Sequence, residues 1–265
     1  MAERPLVGIS SCLLGENVRY DGGHKLDRYL RDTLGKHVDF VPVCPEVECG
    51  MGVPREAVRL VSSGGGIRLV TRETNIDMTD RMRSWMAGRL EELAALPLSG
   101  FIFKSRSPSS GLMRVKVYTD RGVRNDGTGI FAKGVIERLP FLPVEDDARL
   151  GDEKLRENFI ERIFVMHRWH TLLAGDRSLA ALLQFHADHK YLIMAHCPSA
   201  QKLLGALLAV LAAWKLTEGS LAVTGIRTRR AEIFYWCAIL ASNTLGTALG
   251  DFLAHDSGLG FVGGA

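Results

Sequence analysis

The stretch 98-LSGFIF-103 runs without a break into 104-KSRSPSSG-111. The first six residues carry no charge and include two phenylalanines and an isoleucine, the pattern of a strand buried on both faces. The next eight hold four serines, a lysine, an arginine, a proline and a closing glycine, which is loop chemistry. Two further apolar runs, 5-PLVGISSC-12 and 38-VDFVPVC-44, each end in a cysteine-bearing loop. Between them 25-KLDRYLRDTLG-35 reads as a helix with Leu26, Tyr29, Leu30 and Leu34 on one face and Gly35 as its stop. A longer helix is predicted over 77–96, with Asp77 as N-cap. The segment 58–72 reads as a glycine-centred hairpin, 129–138 as a helix, and 141-FLPV-144 as a strand. Strands alternating with helices imply a mostly parallel sheet, in which ligands bind outside the carboxyl ends of the strands. The loops 11-SCLLGE-16, 44-CPEVECG-50 and 104-KSRSPSSG-111 would then line one cleft.

Composition agrees with an ordinary globular protein: 265 residues, 46% hydrophobic and 24% charged. A net charge of +3 is too small to argue for a nucleic-acid partner. The N-terminus shows no secretory pattern, so the expectation is a cytoplasmic protein with its five cysteines reduced. The polar run 145-EDDARLGDEK-154 reads as a linker. The fold expected is an α/β N-terminal domain with a mostly parallel sheet over 1–148, followed by an α-helical domain over 149–214 and an apolar tail over 215–265.

Cys12 and Cys44 follow consecutive strands, with Glu46 and Cys49 in the second loop. A cysteine alone is most often core filling. Two at strand ends beside a carboxylate suit zinc or an iron–sulfur cluster, and their spacing does not choose between them. Glu46 beside a metal would be a proton carrier; otherwise it is a solvated loop carboxylate. Lys104 and the serines around it also admit a cluster-free module that holds a small anion or metabolite.

The segments 11-SCLLGENVRYDGGHK-25, 44-CPEVECGMGVPRE-56 and 104-KSRSPSSG-111 resemble, in order, the thiouracil desulfidase family. The resemblance covers about 5–145. It implies an α/β domain holding a [4Fe–4S] cluster on three cysteines, with one iron open to the sulfur of a thiolated base, such as a pyrimidine or nucleoside-like small molecule. Carried over by motif, Cys12 and Cys44 become cluster ligands, Glu46 the acid/base and Ser107 the assisting serine, in a hydrolytic reaction without net redox change. Lys104, Ser105 and Ser109 are then expected to bind substrate. The family pattern S-P-S-C-G appears here as 107-SPSSG-111, so Ser110 stands where the third ligand is expected. Serine is a harder and poorer iron ligand than a thiolate. Either Ser110 ligates weakly, or Cys49 substitutes, or the site is defective.

Residues 152–210, with 185-FHADHKYLIMAH-196, resemble a truncated YbgA-like domain of unknown role. His167 and His170 share a helical face with Phe159 and Ile163, and His186, His189 and His196 share another. Histidines so placed are usually core residues. Cys197, just before Pro198, reads as structural. The tail from about 219 resembles one repeat of a multi-span membrane protein family. Its run 233–254 is long enough to span a bilayer, although Asn243 and Asp251 are costly in lipid. The tail is expected to associate with a membrane or with itself, a buried helix being the alternative.

Overall fold

The computed structural model describes residues 4–64, 66–196, 198–222 and 228–251. By its internal contacts the chain divides into two compact units, one running through His170 and one from Thr171.

The first unit is built on two four-stranded sheets. One contains β1 (Leu6–Ser10), β2 (Asp39–Val43), β5 (Leu98–Phe103) and β8 (Val144–Asp146), in the order β2-β1-β5-β8 with every pair parallel. The second contains β3 (Val58–Ser63), β4 (Gly66–Thr71), β6 (Val115–Thr119) and β7 (Gly122–Gly127), in the order β4-β3-β6-β7. It joins two antiparallel hairpins through one parallel pairing of β3 with β6. The expected fold class is the observed one: an α/β unit with a parallel sheet, then helices.

Every residue of β5 is buried, because the parallel sheet is covered on both faces. On one face Phe101 and Phe103 stack at 4.3 Å and meet Phe131 of α3 (Ile130–Arg138). Leu90 and Leu93 of α2 (Thr79–Ala95) close that cluster. On the other face Val7, Ile9 and Ile102 pack with Phe159 and Ile163 of α4 (Glu153–Ala174) and with Leu30 and Leu34. Only glycine fits at position 8, where an added Cβ would fall 2.2 Å from the Phe101 ring.

Three local expectations are revised. Residues 25–35 form no full helix: the ordered turns are Tyr29–Thr33 and Leu34–Lys36. The N–H groups of Lys25 and Asp27 donate instead to the carbonyls of Cys12 and Leu13, so the chain is held extended where the first turn was expected. The long helix begins at Thr79 with Met78, not Asp77, at its N-cap; Asp77 stands one residue earlier and its carboxylate accepts from the Thr79 N–H at 2.9 Å. The linker-like acids after Pro143 are partly sheet: Glu145 and Asp146 are buried in β8, where Arg149 donates to both carboxylates.

The second unit holds α5 (Leu179–His196), α6 (Pro198–Glu218) and α7 (Arg229–Asp251). Trp214 of α6 stacks on Phe234 of α7. His189 is a satisfied core histidine: it is buried against Phe185, and its Nδ1 lies 2.7 Å from the Phe185 carbonyl. Cys197 and the side chain of His196 lie outside the described residues. Among the described residues no helix is long and apolar enough to cross a membrane. The apolar run starts inside α7, whose first turn carries Arg229, Arg230 and Glu232.

Candidate active site

Three strands of the parallel sheet end at one place and deliver three loops. β1 leads into the turn Ser11–Leu14, which carries Cys12 and closes at Gly15 with φ 98°. β2 leads through Cys44 into the single turn α1 (Pro45–Glu48), with proline at its first position. The Cys44 N–H donates to Glu48 at 2.9 Å. β5 leads into Lys104, whose N–H donates to the Ser10 hydroxyl at 2.9 Å and ties the third loop to the first. The cleft between them has a volume of about 250 Å³ and is lined by Cys12, Cys44, Glu46, Lys104, Ser105, Ser107 and Ser110, among others.

Glu46 organises the centre. Its Oε1 accepts from the Ser109 hydroxyl at 2.5 Å. Its Oε2 lies 3.6 Å from the Cys44 sulfur and 3.9 Å from the Arg55 guanidinium. Ser109 has one proton, and it goes to the carboxylate. The Ser107 hydroxyl, 3.0 Å from Ser109 Oγ, is therefore the donor of that second bond. The Ser107 oxygen accepts in turn from the Ser110 N–H at 3.1 Å. The result is a directed chain from Ser107, on the cleft wall, through Ser109 to Glu46.

Arg55 is almost fully buried and donates to the carbonyls of Val18 and Gly52, at 2.9 Å each. It thereby joins the first cysteine loop to the second beside Glu46. Asp147, just beyond β8, does the same for the serine loop. One of its oxygens accepts from Lys104 Nζ at 2.7 Å and the other from the Ser105 N–H at 2.6 Å.

Burial pushes the Cys12 thiol up to about 11, against the opposing pull of Lys104 and with help from Glu46. Burial, then the Glu46 charge, pushes the Cys44 thiol up to about 12. Without a bound cation both sulfurs are therefore neutral thiols at neutral pH, and a metal would have to supply the charge that makes them thiolates. Among the described residues no group of three or more histidine, cysteine, aspartate or glutamate side chains is spaced to hold a metal ion. Of the residues singled out as possible ligands, Cys12, Cys44 and Ser110 line the cleft, together with Glu46.

Two residues singled out in the sequence lie elsewhere. Cys49 packs into the core of the second sheet with Leu60, Leu69, Met82, Val115 and Val117, and does not line the cleft. Ser109 is fully buried and serves Glu46 rather than the cleft surface. Arg55 and Asp147 were missed. Arg55 lies within the motif 44-CPEVECGMGVPRE-56, where it was the sole cation near Glu46. Asp147 lay in a run of acids with no apolar period to mark it.

Comparison with known proteins then places the chain. Residues 7–147 match the family model described as 2-thiouracil desulfurase. Residues 234–265 match one described as a Repeat of Unknown Function, DUF347. The chain is 27% identical over 132 residues to the uncharacterized protein YbbK of Bacillus subtilis (strain 168), covering 48% of this chain and 87% of that protein. Among solved structures it is similar to the [4Fe-4S]-dependent thiouracil desulfidase TudS, at 27% identity and a TM-score of 0.45, covering 59% of this chain and 98% of that one. Since the first match spans over half of the sequence and contains all three strand-end loops, the chain belongs to the 2-thiouracil desulfurase family.

Proposed function

We propose that the chain removes sulfur hydrolytically from a small thiolated heterocycle, a thiolated pyrimidine or nucleoside-like base, bound in the strand-end cleft. The observation that carries this reading is Glu46, a carboxylate 3.6 Å from the Cys44 sulfur and joined through Ser109 to the cleft-facing Ser107. Family membership and the iron–sulfur dependence of TudS support it.

Cys12, Cys44 and the Ser110 oxygen would hold an iron–sulfur group at the end of the cleft, with one oxygen where a third sulfur is usual. What supports this reading is that all three residues line the cleft and that neither sulfur is in a disulfide, the serine oxygen being the poorer ligand of the three. When bound, the group would supply an exposed iron that binds sulfur. The remaining work falls to the chain. Glu46, as a carboxylate, takes a proton from the attacking water directly or through Ser109 and Ser107. The water oxygen bonds to the thiocarbonyl carbon, the carbon–sulfur bond breaks, and sulfur leaves as hydrogen sulfide with two protons, the one returned by Glu46 and the one left on the added hydroxyl, so that the carbon becomes a carbonyl. Carbon keeps its oxidation level, so no external electron donor is needed.

The rival reading, an anion held by Lys104, is disfavoured because Asp147 already neutralises that ammonium at 2.7 Å. The test is purification without oxygen, with iron and sulfide assays and sulfide release from 2-thiouracil. Iron is expected, and Glu46→Gln should lower turnover by about 10²-fold or more while keeping the iron. Iron-free protein, or unchanged turnover in Glu46→Gln, would overturn the proposal.

A further inference from the structure

Tyr20 lines the cleft without belonging to the core. Among the described residues that line the cleft it is the sole aromatic. It is 44% exposed and joins none of the three apolar clusters of the first unit. Its backbone, in contrast, is firmly held. The Tyr20 carbonyl accepts from the Arg55 N–H at 2.9 Å, and the neighbouring Val18 carbonyl accepts from the Arg55 guanidinium. The Gly22 N–H donates to the Arg19 carbonyl at 3.0 Å, closing a tight turn that contains Tyr20. The ring is stiffened as well. The Arg19 guanidinium lies over it, 5.3 Å from its centroid, and is itself 3.4 Å from the Asp21 carboxylate.

An aromatic ring fixed beside a cleft, and left out of the core, offers a face to another flat ring. Aromatic pairs gain by offset stacking beyond the area they bury, and every unsaturated base has a face to stack. The other uncharged walls of the cleft, such as Val18, Val43, Val58 and Pro108, are aliphatic and bury a ring without favouring a flat one. We infer that Tyr20 is the stacking platform of the cleft and the residue that selects a planar heterocycle over a puckered one. This rests on the proposed reading of the cleft as a site for a thiolated heterocycle and narrows it: the ring that binds is unsaturated. The aromatic face carries the selection, and the Tyr20 hydroxyl is dispensable. Tyr20 thus acts on binding, while Glu46 and Ser107 act on the chemical step.

The experiment uses the full chain purified without oxygen. Equilibrium dialysis measures its affinity for 2-thiouracil and for the puckered 5,6-dihydro-2-thiouracil, and sulfide release from 2-thiouracil is followed on the same samples. Wild type should prefer the flat ligand. Tyr20→Ala should weaken 2-thiouracil binding by about 5-fold or more and shrink that preference. Its fold should hold, because the carbonyl bonded to Arg55 belongs to the backbone. Tyr20→Leu, which keeps bulk without a flat face, should lose the preference too, and Tyr20→Phe should behave as wild type. Wild-type affinity and preference in Tyr20→Leu, with sulfide still released, would overturn the inference and leave the desulfidase reading standing. Tyr20→Phe as weak as Tyr20→Leu would overturn it as well, by assigning the effect to the hydroxyl. The expected binding pattern without sulfide release would uphold Tyr20 and overturn the desulfidase reading alone. A wild type that binds neither ligand would overturn both.

Discussion

Arg55 offers the most direct test of how the cleft is held together. Replacing it with methionine keeps most of the volume and removes three interactions: the hydrogen bonds to Val18 and Gly52 and the approach to Glu46. Hydrogen bonds from a charged donor are worth about 1.5–3 kcal/mol each. At 3.9 Å and an effective dielectric of about 20, the attraction to Glu46 is about 4 kcal/mol gross, before desolvation. Both side chains are nearly buried, at 8% and 13% exposure, so solvent screens the pair little. These contributions share atoms and do not add. The net loss expected is about 3–5 kcal/mol, as for other buried pairs broken on one side. In urea this lowers the midpoint by about 1–2 M. The assay is urea unfolding read by pulsed hydrogen exchange in peptides from β1 and β5, so that only the unit holding the cleft is scored. In a Glu46→Gln background the same substitution should cost about 1–2 kcal/mol less, because the charge it leaves stranded is already gone. A loss below about 1 kcal/mol, or equal losses in both backgrounds, would refute the reasoning.

Three further outcomes are expected. Ser110→Cys should raise iron and acid-labile sulfide per chain and Ser110→Ala should lower them; equal content in all three proteins would remove Ser110 from the ligand set. Cys49→Ala should leave iron content unchanged while costing about 1–2 kcal/mol of stability, since Cys49 packs in an apolar core away from the cleft. In the metal-free chain, iodoacetamide at pH 8 should modify the exposed Cys237 much faster than Cys12 and Cys44. Their thiols are raised from 9.0 to about 11 and about 12, which cuts the thiolate fraction by about 10²–10³. The sign is that of a raised pKa: the neutral thiol stabilises the fold below pH 9 and that stabilisation is lost as pH rises towards 11–12. Mass spectrometry of each peptide reads the order, and equal labelling at pH 8 would contradict it.

The strands that position the cleft were legible because a strand buried on both faces is apolar throughout, as 98-LSGFIF-103 is. The hairpin at 58–72 was legible from its glycines. β7 was not: GVRNDG is exposed along five of its six residues and follows no apolar alternation. The turn at 25–35 misled because local helix signals lost to hydrogen bonds with Cys12 and Leu13, which lie far back along the chain's path. Within the site, motif order found the residues that face the cleft. It assigned Ser109 to substrate, whereas that side chain is buried and turned to Glu46, 63 positions back along the chain, while Ser107 lines the cleft. Nor could it tell that Cys49 turns towards Met82, since a cysteine in a loop looks the same whether it faces a core or a cleft.

The order of strands in the parallel sheet also bears on how the protein comes into being. β5 sits between β1 and β8, pairing Val7 with Gly100 on one side and Phe101 with Val144 on the other. Ile163 and Phe159 of α4 close over Gly100. Cys12 leaves the ribosome early, yet the apolar cluster it packs into is not complete until Phe159 and Ile163 of α4 have followed. Until then the Cys12 thiol is expected to be solvated, ordinary in reactivity and open to metals or oxidants. Iron delivered during translation would therefore meet an unfinished and permissive site, whereas the finished fold presents it with protonated, buried sulfur. A chain cut near residue 150 would stay in the unfinished condition, because the side chains that cover Gly100 lie beyond the cut.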